Sequence, residues 1–134
     1  MPVSPATEQG TGLCRLELAA DASWLATARL FSGAVARGAG CDAAAVEDVK
    51  LAVSEACTPG IQDSGSSQAA LTIDAEIRED DVRFVVTSPG RPGLRFDDVD
   101  VPSHLDVISG LYPGAREEPS GDAWAVTFTV RPER

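Results

Sequence analysis

The hydrophobic period of this chain switches from helical to extended across the polar stretch Gln62 to Gln68. Before it, Trp24, Ala28, Phe31 and Val35 recur at three- and four-residue intervals, as do Val46, Val49, Val53 and Cys57. Each set predicts one apolar stripe on a helix. After it, Leu71, Ile73, Ala75 and Ile77 alternate with polar or small residues, and so do Val82, Phe84 and Val86. Those runs predict two strands joined by a hairpin turn at Glu79-Asp80. Helices with one apolar stripe and strands with one apolar face bury those surfaces against each other. The implied fold is therefore α+β: a two-layer sandwich of a mixed or antiparallel sheet covered on one face by helices.

The remaining segments fit that frame. Leu13 to Leu18 reads as a first strand, with Cys14, Leu16 and Leu18 on one face and Arg15 and Glu17 on the other. Asp21 or Ser23 can cap the first helix and Asp42 the second; Gly38 and Gly40 supply the stop between them. Pro59 lacks an N–H and crowds the preceding turn, so the second helix is expected to end or kink just after Glu55. Ser88 to Gly93 is a Pro/Gly loop, followed by the acidic segment Asp97 to Asp100. Ser103 and Asp106 have the spacing of a capping box for a short helix with Leu105, Ile108 and Leu111 or Tyr112 inward. Trp124, Val126, Phe128 and Val130 alternate in a last strand, and a short strand is expected near Ala115 to Glu118. Trp24 and Trp124 are expected in the core. The order gives one domain over 13–132 behind a disordered arm over 1–12.

Composition narrows the function. The 134 residues carry 21 acidic and 11 basic side chains, a net charge of −10. Binding to nucleic acid or an anionic membrane needs clustered cations and is disfavoured; a protein partner is favoured. Arg78, Arg83, Arg91 and Arg95 are the one local basic group. No apolar run is long enough to span a membrane, and the polar N-terminus lacks the features of a signal peptide. Cys14, Cys41 and Cys57 are widely spaced and His104 is the single histidine, so neither a disulfide framework nor a zinc site is expected. A reducing cytoplasm follows. The preference for arginine over lysine, with abundant alanine, fits a GC-rich bacterial source.

The string Val46-Glu47-Asp48-Val49-Lys50-Leu51-Ala52-Val53-Ser54-Glu55-Ala56-Cys57-Thr58 resembles the helix of the RsbW/SpoIIAB-type anti-sigma serine kinases, within the histidine-kinase-like ATPase superfamily. The resemblance places Glu55 at the general-base position. Four residues on, where the family holds magnesium with asparagine, stands Pro59, which has no ligating oxygen. The family's Asp-x-Gly-x-Gly loop aligns with Ser88-Pro89-Gly90-Arg91-Pro92, with Gly93 one place late. Ser88 would stand for the adenine-reading aspartate. The Gly-rich element that offers N–H groups to phosphate aligns with Asp97-Asp98-Val99-Asp100-Val101-Pro102-Ser103-His104.

What the resemblance implies is a degenerate anti-sigma or partner-switching regulator. Glu55 would be vestigial, with Pro59, Ser88, Gly90 and Gly93 at degenerate nucleotide positions, no metal and no cofactor. Its partner would be a sigma factor or a STAS-type anti-anti-sigma protein, and a homodimer is possible by the same resemblance. The alternative is an active ATP- and magnesium-dependent kinase of an anti-anti-sigma protein. Asp97, Asp98 and Asp100 are expected to be a solvated acidic surface, and His104 a residue of the cap region.

Overall fold

The computed structural model describes residues 12–63, 70–93 and 101–132. The chain runs β1 (Gly12–Ala19), a 3-10 turn (Ala22–Trp24), α1 (Leu25–Gly38), α2 (Ala43–Asp63), β2 (Ala70–Ile77), β3 (Val82–Ser88), α3 (His104–Leu111), β4 (Arg116–Ser120) and β5 (Ala123–Val130). The strands form one five-stranded sheet in the order β1-β2-β3-β5-β4, and every pairing is antiparallel. β1 starts at Gly12, one residue earlier than the alternation suggests. The expected arm, apart from that residue, lies outside the described residues, as do Arg95, Asp97, Asp98 and Asp100.

Strand register sets the core. Ala75, Phe84 and Phe128 lie side by side across β2, β3 and β5, as do Ile73, Val86 and Val126. All six are buried. Phe128 is stacked between Phe84, at a centroid distance of 5.3 Å, and Tyr112 at the end of α3, at 4.9 Å. This offset stack joins the sheet to the helical layer.

α1 meets α2 through small residues: Ala28, Ser32, Gly33 and Ala36 are its buried positions. A Cβ on Gly33 would come within 3.1 Å of the Lys50 stem, so glycine lets the helices approach. Ser32 returns its hydroxyl hydrogen to the Ala28 carbonyl at 2.9 Å, which makes its burial tolerable. Gly40, at φ 101°, ends α1: its N–H reaches Arg37 O and that of Cys41 reaches Ala36 O, each at 3.0 Å. This is a Schellman arrangement, for which glycine is suited by its left-handed φ.

Two expectations are corrected here. Trp24 sits in the 3-10 turn before α1 and is 46% exposed rather than in the core; the helical stripe begins one turn too late to include it. Of the expected end or kink in α2 after Glu55, the end is excluded: the helix continues through Pro59 to Asp63. Ala56, Cys57, Pro59 and Gly60 are all buried there, and Thr58 donates its hydroxyl hydrogen to Ser54 O at 2.7 Å. The missing proline N–H costs about 3 kcal/mol in a helix interior; burial of this last turn against the sheet offsets that cost.

Burial also governs Cys57. Desolvation pushes its thiol up to about 12, so the thiolate is disfavoured in the fold. An unfolded thiol starts to ionise near 9, so this group subtracts stability as pH rises from there towards 12. At pH about 8, native protein treated with an alkylating reagent is expected to react at partly exposed Cys14 and not at Cys57, by mass spectrometry. Modification of Cys57 at the same rate would mean that this turn of α2 opens readily.

Candidate functional site

Glu55 projects from α2 towards the start of α3. Its Oε1 lies 2.6 Å from Nδ1 of His104, and both side chains are about a quarter exposed. His104 is the first residue of α3, which Ser103 caps. The Ser103 hydroxyl accepts from the Asp106 N–H at 3.1 Å, and the Asp106 carboxylate accepts from the Ser103 N–H at 2.9 Å. The expected capping box is therefore formed. It places a carboxylate at the N-terminus of α3, where a helix would otherwise offer N–H groups and partial positive charge to an external anion.

One turn beyond Glu55, Pro59 lies beneath the loop after β3. Gly90 rests against the Pro59 carbonyl, and a Cβ there would overlap it and come within 2.6 Å of the Gly60 nitrogen. Ser88 is buried and accepts from the Gly90 N–H at 3.2 Å. Gly60 permits Ser88 to sit against the helix, because a Cβ on Gly60 would collide with the Ser88 hydroxyl. The loop is tied elsewhere by Glu117 of β4. Its Oε2 accepts from the Gly93 N–H at 2.7 Å and its Oε1 from Arg91 Nε at 2.9 Å. The Arg91 guanidinium also lies 4.4 Å from the centroid of the Trp124 ring. Pro92 O accepts from the Leu105 N–H at 3.0 Å. Ser88 and Gly90 thus lie against the Pro59–Gly60 turn of α2, whereas Gly93 is held by Glu117 of β4.

Across α2 lies a groove of about 480 Å³, lined by Leu25 and Arg29 of α1 and Glu47, Lys50, Leu51, Ser54, Glu55 and Thr58 of α2. Arg29 Nη1 donates to Ser54 Oγ at 2.8 Å. Lys50 is paired with Glu47 at 3.1 Å, so the two cations are held differently, one by a carboxylate and one by a hydroxyl.

The sequence reading missed three of these residues. His104 does lie in the cap region, directly after Ser103, but its contact with Glu55, 49 positions away, carries no sequence signal. Arg29 carried no motif. Glu117 had one usable signal: it lies opposite Val126, so a carboxylate is set on the inner face of an edge strand. The supposed basic group is dispersed: Arg78 pairs with Asp81, Arg83 with Glu76 and Arg91 with Glu117.

A five-stranded antiparallel sheet with helices on one face, and a glutamate-bearing helix beside a Gly-containing loop, define an α+β sandwich domain. Residues 18–111 match the histidine kinase-like ATPase domain, and the chain belongs to that family. It is similar in fold to the RsbU and RsbW domains of Rv1364c from Mycobacterium tuberculosis, with a TM-score of 0.72 and 20% identity. The alignment covers 92% of this chain and 33% of that one, so the chain spans about a third of its structural relative. No curated protein matches the sequence.

The family implies magnesium and ATP, and the described residues fit them poorly. Pro59 supplies no oxygen, Glu55 is engaged by His104, and the α3 N-terminus is engaged by Asp106. No cluster of three or more His, Cys, Asp or Glu among the described residues could hold a metal ion. No helix among them is long and apolar enough to cross a membrane.

Proposed function

We propose that this chain is a cytoplasmic regulator that holds a protein partner and does not turn over ATP. One observation carries the reading: the groups at the ATPase-type site are engaged with one another. Glu55 bonds His104, the α3 N-terminus bonds its own Ser103–Asp106 box, and the Pro59 turn is covered by Gly90. A general base here has only Oε2 of Glu55 to act through, since Oε1 is bonded to His104, and phosphate binding needs open N–H groups. Sequestration needs neither. The RsbW domain in the structural relative's description and the resemblance of Val46 to Thr58 make a sigma factor or a STAS-type anti-anti-sigma protein the partner of choice.

The α1/α2 groove is the surface we assign to that partner. It combines Leu25 and the exposed Leu51 with Arg29, a cation on a chain of net charge −10. That combination suits a segment with apolar anchors and a carboxylate.

Calorimetric titration with ATP and ADP, with and without magnesium, tests the first part: no heat is expected up to millimolar nucleotide. Micromolar, magnesium-dependent binding followed by Glu55-dependent phosphorylation of an anti-anti-sigma protein would establish a kinase instead. Capture of sigma and STAS proteins tests the second: Arg29→Glu is expected to weaken it at least tenfold, and undiminished capture would move the partner off this groove.

A further inference from the structure

The helices occupy one face of the sheet, and the other is bare among the described residues. Phe84, Val86, Val126 and Phe128 are buried in the core, so Arg83, Val85, Thr127 and Thr129, which alternate with them, point the opposite way. Register sets Arg83 against Thr129, and Arg116 of β4 against Thr127. Arg131 follows β5 directly, two positions past Thr129. The cations of the sheet are held in two ways. Arg15 of β1 and Arg78, just after β2, reach Asp74 and Asp81 through Nε at 2.6 Å. Around β5 the pairing is loose. Arg83 stands 3.5 Å from Glu76 and Arg116 3.9 Å from Glu118, too far for good hydrogen bonds. Arg131 has no ion-pair partner among the described residues.

Arg83 carries a second signal. Its Nε is buried without a hydrogen-bond acceptor, although the side chain as a whole is 43% exposed. An unpaired buried donor costs free energy, and more on a charged group. A carboxylate that drew the guanidinium outward would supply the two-point acceptor it lacks, so binding there relieves a cost already present in the free protein. We propose that the β3–β5–β4 half of the open face docks an acidic segment of a protein partner, with carboxylates on Arg83 and Arg116 and the segment lying over Val85 and Thr129. This surface is separate from the α1/α2 groove, which lies in the helical layer. Other polyanions fit it less well. Single-stranded nucleic acid stacks its bases on aromatic rings, and Phe84 and Phe128 of these strands are turned inward. An anionic membrane takes up large apolar side chains, and none of the exposed ones lies on these three strands. The net charge of −10 opposes both. For a short segment the distant charges are screened beyond about 8 Å at physiological ionic strength, and the local arginines prevail. Exposed ion pairs are individually weak, so a dissociation constant of roughly 0.1–1 mM is expected for the segment alone.

Amide NMR titration of the full chain with a synthetic decapeptide of aspartate, glutamate and serine tests the proposal. Saturable shifts are expected at Arg83, Thr129 and Arg116. No saturable shift overturns the proposal, as do shifts confined to Arg29 and Ser54, which would assign the peptide to the groove. The same peptide with asparagine and glutamine for its acids is expected to give none; equal shifts would mean that charge is not what is read. Shifts at these amides on concentrating the protein alone would give the face to a second copy instead. Arg83→Gln with Arg116→Gln is expected to weaken peptide binding at least fivefold, and undiminished binding overturns the assignment. Should that variant not fold by circular dichroism, salt decides on the unaltered protein. Raising it from about 50 mM to about 500 mM is expected to weaken binding at least fivefold, and an unchanged constant overturns the proposal.

Discussion

Gly90→Ala is expected to cost the protein about 3 kcal/mol, lowering its melting temperature by roughly 10 °C. The new methyl group would overlap the Pro59 carbonyl and approach the Gly60 nitrogen. Both are backbone atoms of a buried helical turn, so neither can yield as a flexible side chain would. The loop must lift, and lifting it strains the bonds from Glu117 to Gly93 and Arg91 and withdraws the guanidinium from Trp124. Thermal melting reads the stability, and Trp124 fluorescence in a Trp24→Phe background reads the loop. Gly110→Ala is the control: a Cβ there meets nothing within 4 Å, and alanine suits a helix better than glycine by up to about 1 kcal/mol. Equal melting temperatures for the two variants would mean that the loop is not seated on Pro59.

Phe128→Ala is expected to cost about 3–5 kcal/mol, a large share of the stability of a domain this size. Phe128 is 1% exposed and belongs to two ring stacks, so its loss leaves a cavity and separates Tyr112 from Phe84. The cavity lies between the sheet and α3, so α3 is expected to lose amide exchange protection first. Denaturant titration gives the total and hydrogen exchange the location. A cost under about 1 kcal/mol would mean that α3 is held on the sheet by other contacts.

Legibility in the sequence followed the range of the interactions. The capping box at Ser103 and Asp106, the Asp42 cap that accepts from the Ala45 N–H and the strand alternations are local, and local rules found them. The α+β sandwich followed, because one-sided elements leave few ways to be buried. Pro59 shows where a local rule falls short: proline disfavours a helix interior, but the burial that offsets it comes from β3 and the following loop. Trp24 shows the limit of periodicity, which counts intervals without knowing where the helix begins. In the candidate site, Glu55, Pro59, Ser88, Gly90 and Gly93 are named through the family pattern alone. That pattern does not give their present contacts. The pairing of Glu55 with His104, and of Glu117 with Arg91 and Gly93, depends on how helix and strand ends meet after folding.

The covering of Pro59 by Gly90 also bears on redesign. An asparagine at 59 would supply a ligating oxygen, yet it would face Glu55 held by His104 and a helix end already carrying Asp106. Under the proposed reading, installing metal and phosphate chemistry here takes concerted changes in three elements distant in sequence, and no single substitution suffices.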